Sequence, residues 1–199
     1  MMLVEQTTVP ATALPVAAFK DHLRLGTGFA DDAVQDQVLE TYLRAAIGAV
    51  EARTGKALLA RSFAWTVTAW RDLARQVLPV APVSAITGLS IFDRFDVEEV
   101  IAADRYALEA DLHRPALVAR GLALPVIPVG GRAVIAFDAG FGASWDAVPA
   151  DLAQAVFLLA AHFYEARGTG GGAEAQIPPA ALSLMGRWRN LRLFGGGAS

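Results

Sequence analysis

The sequence predicts an α+β protein that is mainly helical, a helical frame carrying a small inserted antiparallel β unit. Three observations predict it. Apolar residues recur at helical spacing over residues 31–54 and again over 149–167. Between residues 58 and 137 that period gives way to short alternating runs punctuated by Pro and Gly. Pro178-Pro179 then opens a last amphipathic segment, so the frame comprises a helix hairpin, a long central helix and a C-terminal helix.

In chain order, residues 1–14 read as a polar, Thr-rich extended arm. A short helix follows over 15–25, with Val16, Phe19 and Leu23 on one face, and Gly26-Thr27-Gly28 ends it. Asp31 or Asp32 can cap the next helix by accepting from its first free N–H groups. Val38, Tyr42, Ala45 and Ala49 form one stripe of that helix; Leu39, Leu43, Ile47 and Val50 form the adjoining one. Gly55 supplies the left-handed residue at its end. Two helices joined by a short Gly-containing loop favour an antiparallel hairpin.

The region 58–137 is the β insertion. Ser62 to Trp70 alternates, with Phe63, Trp65, Val67 and Ala69 on one side. Ile86 to Phe92, Arg105 to Glu109, Ala116 to Ala119 and Val134 to Phe137 are further strand candidates. Asp93 to Asp104 reads as an acidic surface loop or hairpin tip. Pro125 and Pro128 keep their stretch off any central strand.

Pro149 suits a helix start, Asp151 puts a carboxylate in the first turn and Arg167 a cation near the last. Leu152, Val156, Leu159 and Phe163 recur at helical spacing, and apolar residues fill most other faces. A helix apolar nearly all round is buried. The expectation is that this one lies between its own subunit and another. Residues 168–177 form a Gly-rich linker, and 178–199 a docking helix and tail. A short helix on such a tether is marginal alone, so it is expected to dock on a partner, the favoured reading, or to fold back across the core.

The chain has 199 residues, no Cys and a formal net charge of -3. No disulfide framework is possible. Hydrophobic residues make up 54% and mean hydropathy is +0.39, consistent with apolar surface covered by other subunits or with abundant Ala and Val. The longest apolar run, Ala155 to Ala161, falls far short of the ~20 residues that cross a bilayer. The mildly acidic balance argues against a general nucleic-acid binder.

Chemistry is sparse. His22, His113 and His162 make no metal-ligand spacing. His162 with Glu165 could form an acid–base pair, but a packed His beside a solvated helix-end carboxylate accounts for both. Gly140-Phe141-Gly142 and the glycines of 168–172 lack the Lys-Ser/Thr of a phosphate loop. The sequence therefore predicts no enzyme, no cofactor and no metal. The one basic-aromatic cluster is Trp188 with Arg187, Arg189 and Arg192. It could meet DNA phosphates or an acidic protein groove, or it could be a solvated Arg face with Trp188 turned into the core.

Seven segments, in order, carry a resemblance: Lys20-Asp21-His22-Leu23-Arg24; Ala46 to Gly55 with Lys56-Ala57-Leu58; Trp65 and Trp70; Leu78-Pro79-Val80-Ala81-Pro82-Val83; Ala139-Gly140-Phe141-Gly142; Val148-Pro149 with His162-Phe163-Tyr164-Glu165; and Pro178 to Arg189. Together they resemble the head–tail connector (adaptor) family of long-tailed bacteriophages and gene transfer agents. Trp188 stands where that family usually has Tyr.

The resemblance implies a structural ring of about twelve copies in the particle neck, closed by unlike faces meeting head to tail. It implies a portal protein on one side, a tail-side stopper or head-completion protein on the other, and DNA passing through without sequence recognition. No membrane is involved, and the host cytoplasm is the place of assembly. On this expectation Leu182, Met185, Arg187, Trp188, Arg189 and Arg192 meet the portal, while Val156, Leu159, Phe163, Val38 and Tyr42 form the ring interface. The alternative is a DNA-binding accessory protein using the terminal Arg/Trp helix.

Overall fold

A computed structural model describes residues 2–24, 33–166 and 177–189. They hold four helices, α1 (Val16–His22), α2 (Ala33–Thr54), α3 (Ala150–Ala166) and α4 (Pro179–Met185). They also hold eight strands: β1 (Met2–Glu5), β2 (Arg61–Val67), β3 (Arg75–Val77), β4 (Val83–Phe92), β5 (Glu98–Val100), β6 (Tyr106–Glu109), β7 (Ala116–Ala119) and β8 (Arg132–Ala139).

This corrects the expectation of a mainly helical protein with a small β insertion. Two antiparallel sheets, ordered β1-β2-β8-β4-β5 and β3-β7-β6, make the β part a full partner of the helices. The large sheet is not an insertion either, since β1 comes from the N-terminal arm and precedes every helix. The reason is physical. β3 and β5 span three residues each, too few to show a period. β1 exists because Met2 to Glu5 pair with Thr66 to Phe63, a distant contact without local trace.

The long strands do alternate. β2 buries Arg61, Phe63, Trp65 and Val67; β8 buries Ala133, Ile135, Phe137 and Ala139. Phe63 stacks on its cross-strand neighbour Phe137 at 5.6 Å. The small sheet covers this face, adding Leu117 and Tyr106 to the same core.

The helices build a second core. α2 contributes Leu39, Leu43, Ala46 and Val50; α3 contributes Leu152, Ala155, Val156, Leu159 and Ala160. Phe19 of α1 is fully buried and stacks at 5.9 Å on Phe157 of α3.

Gly140-Phe141-Gly142 carries the chain from sheet to helices. Gly140 has φ +138, and a Cβ there would lie 2.5 Å from the Ala60 backbone. A Cβ on Gly142 would lie 2.4 Å from that of Ala147. These glycines are needed because two segments cross at contact distance, which a side chain would prevent.

At the other end of β8, the β4–β5 connection approaches the loop before β8: a Cβ on Gly130 would meet that of Arg94 at 3.3 Å, and Arg132 pairs with Asp96. This sheet end, remote from the Ala139–Gly140 crossing, exposes Phe95, Leu122, Val126 and Val129 at 71%, 100%, 83% and 96%.

Candidate functional site

The C-terminal segment folds back onto its own chain. α4 lies on α3 and buries Ala181 and Met185. The 3-10 turn Gly186–Trp188 then buries Trp188. The indole N–H donates to Asp151 Oδ2 at 2.7 Å. Arg187 Nε pairs with the same oxygen at 2.7 Å. Around the indole, Phe141 stands edge-on at 5.5 Å and His113 is tilted at 6.2 Å. Trp188 thus joins the start of α3, the sheet-to-helix crossing and the loop before β7. Sequence reasoning saw Asp151 only as a first-turn carboxylate; nothing local marks its second role as anchor for a residue 37 positions away.

The residues expected to meet a portal therefore divide. Met185 and Trp188 serve the chain's own core, so this indole has no free face to offer a base or a groove. Leu182 is half-buried; Arg187 and Arg189 are exposed. Arg192 lies outside the described residues, as do Arg167 and residues 168–176 of the linker.

The expected ring-face residues divide too. Val156 and Leu159 are fully buried inside the subunit, because α2, α1 and α4 with Trp145 and Trp188 enclose α3. Phe163 is half-buried. Val38 is 39% exposed, and half-buried Tyr42 meets Tyr164 edge-to-face at 5.9 Å. These last form an apolar ridge along one flank of α2.

Another flank of α2 borders a groove of about 220 Å³. The N-terminal arm forms its far wall. Val9, Leu14 and Ile47 give it an apolar floor, while Arg44, Gly48 and Glu51 form the α2 rim. The charges around it are already engaged. Arg61, buried, pairs with Glu51 at 2.7 Å and with Glu5 at 3.2 Å. Arg44 pairs with Glu40 at 2.7 Å and donates to the Val9 carbonyl at 2.9 Å, which holds the arm in place.

No reactive constellation was found among the described residues. His162 lies beside Phe163 at 6.3 Å, and Glu165 is exposed. No group of three or more His, Asp or Glu could hold a metal ion there, and no helix there is long and apolar enough to cross a membrane. One buried cation stands out. Lys56 is 1% exposed, and its Nζ has no hydrogen-bond partner. Burial holds its pKa below the ordinary lysine value, with Asp111 opposing that shift.

No family model and no curated protein matches the chain. Solved structures do. The chain is 54% identical, with a TM-score of 0.88, to a chain of the neck of an empty gene transfer agent particle computed with C6 symmetry. It is 55% identical, TM-score 0.86, to a chain of the virion of a native gene transfer agent particle. It is 51% identical, TM-score 0.83, to a chain of the native particle's neck computed with C12 symmetry. Each comparison covers 98% of this chain and 99% of the other.

Proposed function

Because the chain belongs to the family of structural proteins found in the neck of gene transfer agent particles, we propose that it is the head–tail adaptor of such a particle. Its relatives are parts of the particle, so it is a structural protein and not an enzyme, and its place is the particle neck. In the finer reading, about twelve copies close a ring between the portal and the tail-side stopper, and DNA passes through the middle. The observation that carries this is near-complete coverage at 51% identity by a neck chain solved with twelvefold symmetry.

The physics is compatible. A closed ring needs two unlike, mutually complementary faces on each copy. Repeating a net charge of -3 around a channel repels DNA weakly, which suits a duct that must not grip its cargo. The exposed Arg187 and Arg189, with half-buried Leu182, are the described part of the C-terminal segment open to the portal, and they need no unfolding of the Trp188 anchor.

Electron microscopy of the purified protein, alone and with portal, tests this. Twelvefold rings are expected; a strict monomer that ignores portal would defeat the reading. Arg189→Glu should weaken portal capture by about tenfold, since one interfacial charge commonly carries that much affinity. Its melting temperature should stay unchanged, because Arg189 is exposed.

A further inference from the structure

The groove beside α2 is open and walled on both sides, and its charged groups are already paired within the chain. It therefore offers little to fix an ionic ligand. What remains is shape: an apolar floor of Val9, Leu14 and Ile47, and a gap in the rim at Gly48. Glycine is a poor residue for the middle of a helix, where it costs stability relative to alanine. Nothing in this chain requires it, since a Cβ at Gly48 would meet no atom within 4 Å. The space it leaves suits the close approach of something from outside.

We propose that this groove is the receiving half of the contact between neighbouring copies, and that it takes the Val38–Tyr42 ridge of the next copy. The inference rests on the ring reading above and adds to it which two surfaces meet. A relative is found in a neck solved with C12 symmetry, and cyclic closure joins two different faces of one chain. α2 borders one such face on each flank. Tyr42 and Glu51, nine residues apart, are separated by about half a turn at 3.6 residues per turn. On one flank Val38 is exposed, and Tyr42, half-buried, packs edge-on against Tyr164 with part of its ring open to solvent. On the other, Gly48 leaves room for an aromatic ring, and the exposed Thr8 hydroxyl offers a hydrogen-bond partner for a phenol. The arm is then an interface wall, held by Arg44 on the Val9 carbonyl and by Arg61 on Glu5.

The chain has no native Cys, which makes cross-linking a direct test. Gly48→Cys and Tyr42→Cys are combined in one chain. The two positions lie about 9 Å apart along the helix axis, too far for a bond within a subunit. Mild oxidation of assembled rings should give a ladder of linked oligomers, while each single variant stops at dimers at most. Gly48→Leu should keep the wild-type circular dichroism spectrum and melting temperature yet shift the protein from rings to monomers. Rings of the double-cysteine chain that give no ladder, or Gly48→Leu rings as abundant as wild type, would overturn the pairing and leave the ring reading standing. If the wild-type chain forms no ring with or without portal, the ring reading fails first and takes this inference with it.

Discussion

Lys56 shows how one residue can work against the fold that contains it. Its ammonium is taken out of water without a hydrogen-bond partner, and burial lowers its pKa. The unfolded chain restores the ordinary value of 10.5, so between the folded and unfolded pKa values the unfolded state holds more of this proton. In that window stability rises with pH. Lys56→Met should raise the melting temperature by a few degrees at neutral pH, and the advantage should shrink as pH approaches 10.5. Parallel melting curves from pH 7 to 10.5 check this; a difference that does not change with pH would place the cost elsewhere. In the sequence, Lys56 reads as an ordinary residue after the helix-ending Gly55. Its burial comes from the chain around it, including the parallel bridge to Ala81, and no window around residue 56 contains that information.

At the scale of elements, the long regular pieces were legible, as were the short α1, β6 and β7, whereas β1, β3 and β5 were not. α2 and α3 announce themselves by periodicity because each spans several turns. β1, β3 and β5 owe their existence to partners rather than to pattern. The all-round apolar character of α3 was visible, but what covers it was not. The sequence places α3 between its own subunit and another; α4 and Trp188 of the same chain, which follow a Gly-rich stretch of sequence without directional signal, supply part of that cover and leave Phe157, Leu158 and Phe163 half-buried. Trp188→Ala should accordingly cost about 3–5 kcal/mol, the range for deleting a buried aromatic side chain. It also removes one of the two donors on Asp151 Oδ2. Urea unfolding measures the loss, and trypsin should cut earlier at Arg187 and Arg189 once the turn is released. If stability and cleavage stay at wild-type levels, the anchor holds nothing down.

On the scale of the molecule, helices gather at one end of the large sheet, and the other end is left greasy. Phe95, Leu122, Val126 and Val129 sit in loops there and meet mainly solvent. Away from its particle, such a protein carries solvent-averse area that its own fold does not shield. Sulfate salts strengthen the drive to hide that area, so ammonium sulfate should precipitate the isolated chain readily. Leu122→Ser with Val129→Ser should raise the salt concentration required while leaving the melting curve in place. That makes the bare end a matter of handling as well as of assembly: detergent traces, glass and filter membranes will all compete for a surface that the finished particle has reason to cover.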